Sequence, residues 1–469
     1  MTSVQSASAQ PRFSGAGAQG SRRVMSWLAQ PWFDPTALWT MTRWYMPLSR
    51  AWAAAAASDG SLERFQAELP LERIGPAARL GLAGALRRTA DLKARLAEAE
   101  AHWNELFFAP HPVEGNLLFN AERMRRRASH AFMMARGGFA LLRLGAGFPA
   151  VRYEIPTPAE AMAELGPMLA DPRGAFSPPD PLPKIETTQR IEHPSFSEYW
   201  LRFAPGGLEG NDVAWAHVRE PRGVANPPSL IHVHGLGVEF ESLDGIEDDV
   251  DPVVAMGVRL IRLEAPWHNR RRLPARYGGE PFLSRQPLAG IELFLAIARE
   301  TAVLTAWCRA TSGGRVAIGG TSMGALSTQL AASRAGRWPG ETRPDALWLV
   351  TTSDDIGGLA FNSSLACAAG LPDALSRAGW TRQSIAALSP LAEIDESPVM
   401  APEDIVVVLG RRDNVTPYAR GAALVARWGV PHSNLFQREL GHFSVPLGLL
   451  GDRQPLTRLV ERLRGRGAA

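Results

Sequence analysis

Gly320-Thr321-Ser322-Met323-Gly324 reads G-x-S-x-G, and its flanks decide how the chain folds. Val316-Ala317-Ile318 precedes it as a short apolar run of strand type. Ala325-Leu326-Ser327-Thr328-Gln329-Leu330-Ala331-Ala332 follows it with helical character. A strand, a sharp turn and a helix expose a serine hydroxyl at the end of a sheet. The turn predicts a strained backbone at Ser322. Glycines two before and two after let strand and helix approach without colliding side chains. Ser322 is therefore the candidate nucleophile for acyl transfer.

Working outward, the chain from about residue 196 alternates strands and helices. Tyr199-Trp200-Leu201-Arg202-Phe203 and Val213 to Val218 read as two strands joined by a turn containing Gly206, Gly207 and Gly210. Buried-strand runs follow at Leu230 to Val233, Val258 to Leu263, Val316 to Ile318, Leu347 to Val350 and Ile405 to Leu409, with Asn434 to Arg438 as a sixth. Helix-like segments such as Leu288 to Cys308 and Met323 to Arg334 separate them. Such alternation predicts an α/β fold with a mostly parallel central sheet flanked by helices. An insertion at about 353–400, with helical pieces and proline breaks, is placed where a cap over the site would sit.

A serine hydroxyl needs a base, and the base needs an acid to fix its tautomer. In this type of sheet the chain order is Ser, then Asp or Glu, then His. Asp413 follows the strand Val406-Val407-Val408-Leu409 through Gly410-Arg411-Arg412, at the sheet end where ligands bind. Asp354 and Asp355 are its rivals, after Leu347 to Val350. His442, in Glu439-Leu440-Gly441-His442-Phe443, lies after the last strand and before a final helix. His432 is its rival, but it follows Pro431 and precedes that strand. Two backbone N–H groups are needed for the developing oxyanion. The assigned donors are Met323, after the nucleophile, and Leu236, in His234-Gly235-Leu236-Gly237, with Gly235 as the adjacent alternative. His232 and His234 also read as an i, i+2 metal pair, but with no third ligand no metal is expected.

H-G-L-G, G-T-S-M-G, G-R-R-D-N-V-T-P and G-H occur in this order over about residues 196 to 465, and together they resemble the α/β-hydrolase superfamily. The resemblance implies an eight-stranded, mostly parallel sheet, a Ser/Asp/His triad and no cofactor. Ala265-Pro266-Trp267-His268, Arg270-Arg271-Arg272 and Tyr277-Gly278-Gly279, with the long helix that follows, are similar to the group around abhydrolase-domain-containing protein eighteen. That likeness implies a lipid-like acyl ester as the substrate class. The expected activity is a serine hydrolase of the carboxylesterase or lipase type. Thioesterase or amidase action on the same triad is the alternative, and a non-catalytic binding protein on the same fold is a third.

The arginines near the sheet's ligand end, Arg270 and Arg271 above all, and His234 are candidate substrate contacts. A solvated loop or a salt-bridge set is the plainer account of the arginines. The acidic cluster Asp244, Glu247, Asp248, Asp249 and Asp251 lacks calcium-loop spacing and reads as a charged helix start facing those arginines.

Composition sets outer limits. The 469 residues are 45% hydrophobic and 21% charged, ordinary for a globular chain. Net charge is +3 with pI near 9.1, too small an excess to indicate nucleic acid. Only Cys308 and Cys367 occur, which excludes a disulfide framework and points to a reducing, cytoplasmic location. No Sec-type signal or bilayer-length apolar run is read. Residues 1–23 have the Ser, Ala, Gln and Gly content of a disordered tail. Residues 24–190 are expected to form a mainly helical extension ending in a Pro-rich connection, and 191–469 the α/β-hydrolase domain. Within the extension, 24–57 concentrates Trp27, Trp32, Trp39, Trp44 and Trp52. It reads as a helical arm packed on the body, or alternatively as a peripheral contact with membrane.

Overall fold

The computed structural model describes residues 29–71, 76–145, 147–205, 213–237, 249–394 and 397–465. The 1–23 tail, Trp27, the Gly206–Gly210 turn and the acids Asp244, Glu247 and Asp248 lie outside them.

Ten strands form one sheet among the described residues, in the order β1-β3-β4-β6-β5-β7-β8-β9-β10, with β2 on β3. They are β1 (Glu186–Thr187), β2 (Ile191–Glu192), β3 (Phe196–Phe203), β4 (Ala214–Pro221), β5 (Ser229–Val233), β6 (Arg259–Leu263), β7 (Val316–Thr321), β8 (Ala346–Val350), β9 (Ile405–Gly410) and β10 (Leu435–Arg438). The strands from β6 to β10 pair parallel, while β4 pairs antiparallel with both β3 and β6. The sheet is mostly parallel, as the strand–helix alternation predicted, with ten strands among the described residues rather than the eight that the resemblance implied.

Every residue of β5, β6, β8 and β9 is buried. Alternate side chains serve two cores, which is why β8 and β9 read as unbroken apolar runs, while β5 and β6 also bury His232, Arg259 and Arg262. Ile231, Ile261, Ile318, Leu347 and Val407 face helices Leu288–Ser312 and Met323–Arg334. Leu230, Leu260, Ala317, Trp348 and Val406 face helix Gln454–Arg464 on the other side. β1 and β2 were not anticipated; two residues each are too short to show a period.

The N-terminal region carries helices Leu62–Glu68, Pro76–Phe107 and Gly115–Met134. Leu96 and Trp103 of the second of these helices are buried. The Trp-rich arm forms helix Phe33–Thr40, a π-helical turn Met41–Tyr45 and helix Met46–Ser58. Trp52 is buried and donates from Nε1 to the Phe132 carbonyl at 2.8 Å, which ties the arm to the body. Trp32 and Trp39 are 49% and 57% exposed. No helix among the described residues is long and apolar enough to cross a membrane.

The Pro-rich connection is partly helical. Helix Pro158–Ala170 lies within it, started by a reciprocal capping box between Thr157 and Glu160. The T-x-x-E signal was present in the sequence; the prolines around it obscured it. The insertion after β8 consists of short helices from Ile356–Asn362 to Ser389–Ala392.

Candidate active site

β7 runs directly into helix Met323–Arg334, and Ser322 is the hinge between them. Its φ and ψ are 56° and −117°, a conformation that non-glycine residues avoid. The Ser322 amide donates to the Val350 carbonyl of β8 at 2.9 Å, and its carbonyl accepts the Leu326 N–H at 2.9 Å. The strain is therefore held from both sides. A Cβ on Gly320 would lie 2.5 Å from both the Val233 oxygen and the Gly324 carbonyl carbon. Only glycine fits this crossing.

Three distant segments meet at Ser322. His442 Nε2 lies 2.8 Å from Ser322 Oγ, and His442 Nδ1 lies 2.8 Å from Asp413 Oδ2. With the proton on Nδ1, donated to the carboxylate, Nε2 presents its lone pair to the serine hydroxyl; the tautomer follows from the partners. Asp413 is itself fixed. Its Oδ1 accepts the Val415 and Thr416 N–H groups, both at 2.9 Å, and its Oδ2 accepts the Thr416 hydroxyl at 2.8 Å. Asp413 and His442 are buried, while Ser322 is half-buried. The rival residues are engaged elsewhere. Asp354 pairs with Arg420 at 2.9 Å, and Asp355 caps helix Ile356–Asn362 through the Gly358 N–H. His432 begins the short turn before β10.

Met323 heads its helix, so its N–H belongs to the first turn, which has no intrahelical acceptor. β5 lies parallel beside β7 with Val233 opposite Gly320, so the loop carrying Leu236 leaves the sheet next to Ser322. Two histidines hold that loop. His234 donates from Nδ1 to the Gly235 carbonyl at 2.7 Å and accepts the Ala265 N–H on Nε2 at 3.2 Å. His268 donates from Nδ1 to the Pro266 carbonyl at 2.9 Å and accepts the Gly237 N–H on Nε2 at 3.1 Å. Burial brings the His234 pKa down to about 4, and the Arg271 charge acts the same way. Burial also holds His268 well below its ordinary value. Both rings are thus neutral brackets for the loop. His268 stood in the quoted Ala265–His268 stretch without a role, because nothing local reveals that its ring reaches Gly237.

The expected substrate contacts at His234, Arg270 and Arg271 give way to structural ones. Both ring nitrogens of His234 are used as just described. Arg271 makes a two-pronged ion pair with Glu300 at 2.7 and 2.8 Å, with both side chains 1% exposed. The Arg270 guanidinium lies over Trp103 and Trp215, 4.5 and 4.6 Å from the ring centroids. Asp251, from the acidic cluster, pairs with Arg219 at 2.7 Å and with Arg262. Arg271→Leu is expected to destabilise the fold by about 3–5 kcal/mol, because it leaves Glu300 buried and unpaired. Adding Glu300→Leu should recover most of that loss. Urea unfolding midpoints of the single and double variants check it, and a single variant as stable as wild type would refute it.

The insertion after β8 borders a cavity of about 300 Å³, lined by Asp354, Asp355, Phe361, Arg382, Ile385 and Arg420 among others. None of Ser322, Asp413 and His442 lines it.

No protein-family description matches the sequence, and no curated protein does. Solved structures do resemble the fold. One is a cold-adapted esterase from an Arctic intertidal metagenomic library, at 15% identity over 58% of this chain and 97% of that one, with a TM-score of 0.38. Another is acetyl xylan esterase 1 from Thermoanaerobacterium sp. JW/SL YS485, at 15% identity over 64% and 96%, with a TM-score of 0.38. A lipase in its open form matches at 15% identity over 56% and 98%, with a TM-score of 0.39.

Proposed function

We propose that this protein is a serine hydrolase that cleaves a carboxylic ester through an acyl-enzyme intermediate. One observation carries the reading: a backbone-strained Ser322 whose Oγ, His442 and Asp413 form a continuous relay of two 2.8 Å contacts. His442 Nε2 takes the hydroxyl proton as Ser322 Oγ attacks the ester carbonyl. Asp413 stabilises the imidazolium and holds its orientation. The N–H groups of Leu236 and Met323 receive the oxyanion. Collapse of the tetrahedral intermediate transfers the proton from Nε2 to the departing alkoxide. Water, deprotonated by the same nitrogen, then releases the acid and regenerates Ser322. No step calls for a cofactor.

A lipid-like ester is the substrate class we favour, supported by the likeness of residues 265–279 to the abhydrolase-domain-containing protein eighteen group. Thioesters and amides pass through the same tetrahedral chemistry, so the leaving group is decided by assay. A fluorophosphonate probe is expected to label the full chain on the tryptic peptide that holds Ser322, and Ser322→Ala should remove the label without unfolding the protein. Hydrolysis of p-nitrophenyl esters, acyl-CoAs and anilides of matched chain length ranks the classes. Undiminished labelling of Ser322→Ala would refute the assignment.

A further inference from the structure

We propose that Asp34 is a positioning residue for His442, which makes the N-terminal arm a working part of the active site. The proposal rests on the serine-hydrolase reading above. Asp34 sits in the first turn of helix Phe33–Thr40, yet its carboxylate reaches the turn that carries His442. Oδ1 accepts the Phe443 N–H at 2.6 Å. Oδ2 accepts the Ser444 hydroxyl, whose oxygen in turn accepts the Gly441 N–H at 2.9 Å. One carboxylate thus ties down the residues on both sides of His442.

The turn is built to receive it. Helix Ser444–Leu449 has no side-chain cap from its own Phe443, and Asp34 bonds the Phe443 N–H there instead. A Cβ on Gly441 would fall inside the Asp34 carboxylate, so glycine is what permits the approach. Ser444 is fully buried, and the Phe443 ring stands edge-on to the imidazole at 5.3 Å and 84°. Hydrogen bonds to a carboxylate are stronger than neutral ones.

The far end of the arm is anchored. Besides the Trp52 bond, the buried Arg50 lies 3.6 Å from the buried Glu280. Between the two ends, the Tyr45 hydroxyl donates to the Gly237 carbonyl at 3.3 Å, beside Leu236. The arm therefore touches both loops that the proposed chemistry uses. Asp34 contacts no reacting atom; it acts by holding the imidazole within reach of Ser322 Oγ.

The test compares full-length wild type, Asp34→Ala, Asp34→Asn, Ser444→Ala and Ser322→Ala by p-nitrophenyl butyrate kinetics, fluorophosphonate labelling and thermal melting. In Asp34→Ala, kcat should fall about 10- to 100-fold, the scale on which small misplacements act. KM should stay within about threefold, because the substrate-facing surface is unchanged. Asp34→Asn should restore most of kcat: its amide oxygen still accepts the Phe443 N–H, and the Ser444 hydroxyl can rotate to accept from the amide. Wild-type kcat in Asp34→Ala overturns the proposal, as does a loss that appears in KM or is equal in Asp34→Asn. If Asp34→Ala does not fold, Ser444→Ala breaks the same network from the other side. It should show the same kcat loss, and wild-type kcat there overturns the proposal. A labelled wild type with a fully active Asp34→Ala sinks this proposal alone. An unlabelled, inactive wild type sinks the serine-hydrolase reading and this proposal with it.

Discussion

Asp413→Asn is expected to lower kcat about 10⁴-fold while leaving the fold intact, the magnitude seen when the acid of such a triad is neutralised. The size follows from how Asp413 is held. Its Oδ1 receives two backbone N–H groups, from Val415 and Thr416. An asparagine at 413 must keep its carbonyl oxygen at those donors, because turning the amide over would point N–H at N–H. The NH2 group is then left facing His442 Nδ1. That nitrogen can answer only by becoming an acceptor, which moves the ring proton to Nε2. Nε2 with a proton cannot take the one on Ser322 Oγ. The substitution thus reverses the tautomer without moving the ring, and Thr416 Oγ1, 3.2 Å from Nδ1, has room to adjust its own hydrogen. Steady-state hydrolysis of a p-nitrophenyl ester together with a melting curve checks it. A loss smaller than about tenfold with an unchanged melting temperature would remove Asp413 from the role of orienting acid.

What could be read from the sequence divides along physical lines. The central strands were legible because a strand buried on both faces is mostly apolar, as Ile405–Gly410 is along its whole length. Ser322, Asp413 and His442 were legible because this topology brings successive strand ends to one edge, so chain order stands in for geometry. Asp34 was not, because its contact with Phe443 spans 409 residues and leaves no local pattern. The partners of the arginines were hidden for a related reason. A basic run after a strand suggests a surface, and its partners are far away in sequence. The one available signal was Glu300, an acid within the largely apolar helix Leu288–Ser312, which had to find a cation once the helix was buried. Helix Pro158–Ala170 was hidden differently: Pro158 at its first position favours a helix start, although a proline-rich segment reads as extended.

Gly324→Ala should damage the molecule most broadly, costing about 3 kcal/mol or more and disrupting activity as well. The glycine is the second residue of helix Met323–Arg334, where a helix usually gains from alanine. Here the added Cβ would land on the Val233 carbonyl oxygen, 2.6 Å from its carbon and 2.8 Å from the His234 oxygen. All three are backbone atoms of β5 and the loop after it, so no side-chain rotation relieves the clash. Either the helix lifts from the sheet or β5 shifts, and both elements serve the site. The helix begins at Met323, next to Ser322, and β5 leads through His234 to Leu236. A displacement that relieves the collision therefore moves one proposed oxyanion donor relative to the other, so the loss of kcat should exceed what partial unfolding alone explains. Gly336→Ala supplies the control, because a Cβ there meets nothing within 4 Å. Urea midpoints and kcat for the two variants decide the matter. If Gly324→Ala matched Gly336→Ala in both, the close crossing of helix and strand behind Ser322 would not exist in solution.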